Sequence, residues 1–142
     1  MVLSSNTNLI TLNLNCVYVK GEASRWRLSW ISTILQTVKS RKLRRITVAL
    51  QHETEYVESN LDALDWKVID QALVPVVRSQ NNFDAIIFRV RAPQAEDEWA
   101  EQSSEAILSR LPKSRLAQVP IRILCQSIKP DMPKQLFPVI EC

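Results

Sequence analysis

A chain of 142 residues with 46% hydrophobic and 23% charged side chains has the size of one domain and the composition of a folded globular protein. A net charge of +3 spread along the chain gives no bulk drive toward nucleic acid or membrane, and three scattered cysteines beside one histidine cannot build a spaced zinc site. The single glycine, Gly21, excludes the glycine-rich phosphate loops of dinucleotide and P-loop sites.

The opening MVLSSNTNLITLNLNC has neither a basic leader nor a continuous apolar run, and no later stretch reaches the ~20 apolar residues of a membrane span. A cytoplasmic or nuclear location is the expectation. Within this opening, Leu9, Leu12, Leu14 and Cys16 occupy positions one, four, six and eight of an apolar phrase whose last three members alternate. Alternation with period two marks a strand with one buried face.

RWRLSWISTILQTVK, residues 25–39, follows with Leu28, Ile31, Leu35 and Val38 at helical spacing, Ile34 beside them and Trp26 and Trp30 on the flank. Ser24 is placed to cap it, and Lys39, Arg41 and Lys42 lie near its carbonyl end, where cations are favoured. The same apolar phrase then recurs at Leu43, Ile46, Val48 and Leu50. Next comes LDALDWKVIDQAL, residues 61–73. Ser59 and Asp62 suggest a capping box, Leu61, Leu64, Val68 and Leu73 an inward stripe, and Pro75 the helix end. Trp66 precedes Ile69 by three residues and Leu73 by seven, so its ring is expected over a seam between helices, with Asp65 in solvent or capping a backbone group.

A third phrase runs through Phe83, Ile86, Phe88 and Val90, and a fourth through Leu116, Val119, Ile121 and Ile123. Between them AEDEWAEQSSEAILSRL, residues 95–111, places Glu96, Asp97 and Glu98 at the positive amino end of a helix and Trp99, Ala106, Ile107 and Leu111 on its apolar side. From residue 127 on, three prolines mark an irregular tail or cap, with a short strand around 137–140 as a further option.

Strand, helix, strand repeated three times implies a parallel sheet, since the long crossovers exclude hairpins. The residues between the apolar positions are mostly polar or small, so only one face of the sheet should be covered. The expected fold is therefore α/β: a short βα solenoid of about four parallel strands with three helices on one face, forming a single domain over residues 1–142. Its open ends leave strand edges that call for a cap or self-association.

The apolar phrase resembles the leucine-rich repeat. It departs from that family in spacing, the phrase starts lying 34, 40 and 33 residues apart, and in the ninth position, held by Val17, Gln51, Arg91 and Leu124 where that repeat has Asn or Cys. A buried amide ladder is therefore not expected. Across most of the chain the succession LRRITVAL, LDALDWKVIDQAL, NNFDAIIFRVRA, EAILSRLPKSRLAQVPIRI resembles the C-terminal repeat region of fungal F-box-like proteins. The quoted succession does not include the F-box itself, which docks on the ubiquitin-ligase adaptor, so adaptor binding is not carried over. The resemblance implies a partner-recognition module.

Catalytic readings are weaker. His52 beside Glu53 and Glu55 has the makings of a general base, but no nucleophile motif accompanies it, and an exposed loop histidine is expected. Glu53, Glu55 and Glu58 lack the spacing of a calcium loop. Cys16 and Cys125 read as small buried fillers and Cys142 as a terminal thiol. No cofactor is expected. What remains is the uncovered sheet face, onto which Asn13, Asn15, Arg45, Thr47, Arg89, Arg91 and Arg122 should project. Arginine forks suit carboxylates, so the expected function is non-enzymatic binding of a protein partner, such as an acidic peptide. The alternative is nucleic-acid binding through KSRKLRR, residues 39–45, and the same arginines.

Overall fold

The computed structural model describes residues 8–19, 30–52, 61–62, 64–93 and 98–128. They form β1 (Thr11–Val19), α1 (Trp30–Gln36), β2 (Arg45–His52), α2 (Trp66–Arg78), β3 (Ala85–Pro93), α3 (Trp99–Ser109), α4 (Pro112–Leu116) and β4 (Ile121–Ile128). The fold is α/β: one four-stranded sheet in the order β1-β2-β3-β4, every neighbouring pair parallel, with four helices in the crossovers.

The alternating apolar residues stack in register across the sheet. Leu12, Ile46, Ile86 and Ile121 make one row, and Leu14, Val48, Phe88 and Ile123 the next. These rows share a core with Ile31 and Leu35 of α1, Ile69 and Leu73 of α2, and Ile107 of α3. At the N-terminal edge the strands are tied by backbone bonds from Arg44 N–H to Ile10 O (2.7 Å), Asp84 N–H to Arg44 O (2.7 Å) and Ile86 N–H to Pro120 O (2.9 Å). Gln80 fastens the helical layer to this edge: its side-chain oxygen accepts from Leu43 N–H at 2.8 Å and its amide donates to Ser40 O at 2.7 Å.

Several elements depart from the sequence pattern. In β1 the register slips between Leu14 and Val17, so Val17, not Cys16, lies opposite Leu50. The extra residue is a bulge, which a period-two count carries straight through. Helix α1 is described only from Trp30, so the expected cap at Ser24 and the contributions of Trp26 and Leu28 lie outside the described residues.

Helix α2 begins at Trp66, with Asp65 at the N-cap making no side-chain cap bond, while Leu61 and Asp62 form a preceding 3-10 turn. The expected capping box therefore does not start it; Ser59 is outside the described residues. Pro75 sits inside the helix, which continues to Arg78. Proline is tolerated there because it lies on the exposed side, although it has no N–H for the Gln71 carbonyl one turn earlier. The buried stripe is Trp66, Ile69, Asp70, Ala72, Leu73 and Val76, leaving Val68 only half-buried. Trp66 packs downward on the sheet: its ring lies 5.7 Å from that of Phe88, tilted by 49°, and its indole N–H donates to Leu61 O at 2.6 Å. The indole nitrogen thus finds an acceptor in the turn just before its helix, and the ring fills the space above β3.

The fourth apolar phrase is displaced by two residues. Ile86 pairs with Ile121 and Val90 with Cys125, so the strand phrase starts at Gln118, and Leu116 belongs to α4 with 86% of its surface exposed. A slip of two preserves the face, which is why the alternation alone does not reveal it. Helix α4 is a fourth helix beyond the three expected. It carries proline at its first turn and is capped from outside: Asp70 accepts from Lys113 N–H at 2.9 Å, Ser114 N–H at 2.8 Å and the Ser114 hydroxyl at 2.7 Å. Trp99, Ala106, Ile107 and Leu111 are all buried as the α3 pattern predicts, joined by Ser103; Glu98 is the N-cap residue, while Glu96 and Asp97 are outside the described residues. Strand β4 takes in Ser127 and Ile128, two residues past the point where the proline-rich stretch predicts a tail.

Candidate protein-binding face

The residues that alternate with the core rows form the opposite side of the sheet. By register Thr11, Arg45 and Ala85 make its first row, and Asn13, Thr47, Ile87 and Arg122 its second. Ala49, Arg89 and Leu124 follow, then Gln51, Arg91 and Gln126. Asn13, Arg45, Arg122 and Leu124 are exposed, and Thr47, Ile87 and Arg89 half-buried. Leu124 keeps 54% of its surface accessible, so the face combines cations with an apolar spot.

Parallel pairing brings together charges from three segments. Asp84, immediately before β3, takes the Arg45 guanidinium at 3.1 Å on one oxygen and that of Arg122 at 3.6 Å on the other. The Arg45 hydrogen bond, followed by the charges of Arg122 and Arg44, holds the Asp84 carboxyl below the usual carboxylate range. A recess of about 300 Å³ opens beside this cluster, bounded by Ile10, Thr11, Arg44, Arg45 and Asp84. Arg89, further along β3, has no ion pair among the described residues.

Of the expected site residues, Asn13, Arg45, Thr47, Arg89 and Arg122 share this face, and Asn15 lies at the β1 bulge, where its side chain is outside the described set. Arg91 is a correction. It occupies the face by register but is only 3% exposed, so it does not project into solvent. Burial, and then the charge of Arg89, lowers its guanidinium from the ordinary value, yet an arginine stays protonated at neutral pH. Asp84 was not among the expected site residues. The signal for it was present: aligning the second and third phrases sets Asp84 level with Arg44, next to Arg45.

His52 is a second correction. It is the last residue of β2, 1% exposed, and burial pushes its imidazole down to about 4. It is therefore not the exposed loop histidine that the sequence suggests. Cys125 is half-buried rather than enclosed; its thiol reaches Ala100 O at 3.7 Å, and burial raises its pKa. In the segment 39–45, Lys39, Arg41, Lys42, Arg44 and Arg45 are exposed around buried Ser40 and Leu43, and Lys42 Nζ donates to Asn8 Oδ1 at 3.0 Å. Among the described residues no group of three or more His, Cys, Asp or Glu side chains is placed to hold a metal, and no helix is long and apolar enough to cross a membrane. No family model matches the chain, and neither the curated proteins nor the solved structures contain a match.

Proposed function

We propose that the chain is a non-enzymatic protein-binding module, a short leucine-rich-repeat-like βα solenoid with its helices on one side, which takes an acidic peptide on the opposite side of the sheet. The observation that carries this reading is the Asp84 carboxylate lying between Arg45 and Arg122, a contact of the kind an incoming glutamate or aspartate would make. Arg89 offers a further cation, and Ile87 and Leu124 an apolar surface between the charges. In a parallel stack with one crossover hand the helices fall on one side, leaving the other for a ligand. The order of the four quoted motifs, which resembles the repeat region of fungal F-box-like proteins, supports reading the module as one for partner recognition of that kind. A competing reading, nucleic-acid binding through 39–45, draws on the exposure of Lys39, Arg41, Lys42 and Arg44.

Fluorescence anisotropy with a labelled peptide of alternating glutamate and leucine tests the first reading. The doubly reversed Arg89→Glu/Arg122→Glu variant should bind at least about tenfold more weakly with an unchanged melting temperature. Equal binding by both proteins overturns it. A labelled oligonucleotide bound more tightly than the peptide, with affinity falling steeply in salt, would favour the competing reading.

A further inference from the structure

On the helical side, two grooves flank α2. One, about 470 Å³, separates α2 from α1 and has Leu35, Val38, Ala72 and Val76 in its walls; the other, about 420 Å³, separates α2 from α4 and is lined by Val74, Leu116 and Ala117. Both grooves share Gln71 and Pro75. The described residues lining them include four cations, Lys39, Arg41, Arg78 and Lys113, and no aspartate or glutamate. The solvent side of a helix is ordinarily polar throughout. Here the exposed side is interrupted by Pro75, with half-buried Val74 on its flank, and Leu116 stands 86% exposed on neighbouring α4. Pro75 also leaves the Gln71 carbonyl, at the boundary of the two grooves, without its usual intrahelical donor.

We propose that this surface docks an acidic amphipathic helix of a partner protein, laid across α2 with one apolar side chain in each groove. The spacing is physical. Neighbouring packed helices lie about 8–10 Å apart, so the two grooves are separated by a similar distance, and residues seven apart on a helix are separated by about 10.5 Å. Acidic side chains flanking the two anchors meet Lys39 and Arg41 on one side and Arg78 and Lys113 on the other. Leu35, Ala72 and Val76 on the α1 side are buried, so the apolar surface there is reached only from within the groove, which suits an inserted side chain and not the flat surface of a lipid bilayer.

The probe is a designed 18-residue helical peptide with leucines seven positions apart and glutamates flanking them, against controls with lysine for glutamate or with the second leucine moved by two positions. Titration into isotopically labelled protein should shift the amide signals of Val74, Arg78, Lys113 and Leu116. Both controls, and the exposed-residue variants Arg78→Glu/Lys113→Glu and Leu116→Ser, should weaken binding at least about tenfold. Arg89→Glu/Arg122→Glu on the sheet should leave it unchanged, which separates this surface from the peptide-binding face. Equal affinity for glutamate and lysine peptides overturns the proposal. So does sedimentation with phosphatidylserine vesicles in the absence of peptide binding.

Discussion

Asp70 and Asp84 are the same chemical group put to opposite uses. Asp70 is 3% exposed on α2, and its two oxygens receive three donors from the start of α4. Asp84 lies in water at the N-terminal edge of the sheet, held by two arginine side chains that are themselves more than half exposed. In a low-dielectric setting a charged acceptor is strongly coupled to its donors, and each donor left behind costs free energy. Exposed ion pairs contribute little to stability, but a ligand can exchange with them. The first aspartate should therefore be read out in folding and the second in recognition.

The largest effect is expected at Asp70. Asp70→Ala strips the cap from α4 and leaves two backbone N–H groups and the Ser114 hydroxyl without their acceptor, a loss of about 3 kcal/mol in urea denaturation. Asp70→Asn keeps one oxygen acceptor and should lose roughly half as much. A five-residue helix has almost no intrinsic stability, so α4 depends on this contact for its position against α2. An Asp70→Ala protein that unfolds at the wild-type urea concentration would erase the distinction between the two carboxylates.

Acid separates the interior from the surface in a second way. His52 has a folded-state value of about 4 against an ordinary 6.5. The unfolded chain therefore binds a proton through this window while the folded chain does not. The His52 contribution is complete above pH 6.5, is lost as the pH falls toward 4 and does not change further below that, the total loss being up to about 3 kcal/mol. Denaturation profiles of the native chain and of His52→Asn at pH 7.5, 5.5 and 4.5 check this. The His52 variant should show a distinctly flatter pH dependence across that interval, and parallel profiles would show that the imidazole titrates freely.

How much of this was legible beforehand follows from what each residue depends on. The core faces of β2 and β3 were readable because Ile46, Val48 and Leu50, and Ile86, Phe88 and Val90, obey an uninterrupted period of two. The bulge in β1 and the two-residue slip of β4 were not, since both leave a plausible alternation in place. Helix α4 was hidden because its capping residue lies 44 positions away, and a local pattern cannot register a cap supplied from another helix. Pro75 misled for a related reason: its side chain breaks a helix in isolation, but tertiary packing of Leu73 and Val76 carries α2 past it. On the candidate face, the arginines of β2, β3 and β4 were placed correctly by alternation, whereas the burial of Arg91 depends on three-dimensional surroundings that no alternation encodes.

The smallest expected effect on the fold, and the one that bears most on function, is at Asp84. Asp84→Asn removes a carboxylate that already sits where an acidic ligand would pair with Arg45 and Arg122. The urea midpoint should not move, while affinity for the glutamate-leucine peptide should rise by about fivefold, as two guanidinium groups lose their internal competitor. A fall in affinity would mean that Asp84 chiefly orients the arginines, and the face would then be a preset fork. Because its neighbours hold the Asp84 carboxyl below the usual range, it remains ionised wherever peptide glutamates, which titrate near ~4.3, are ionised. The competition cannot be relieved by mild acid without also discharging the ligand. Only the substitution separates the two.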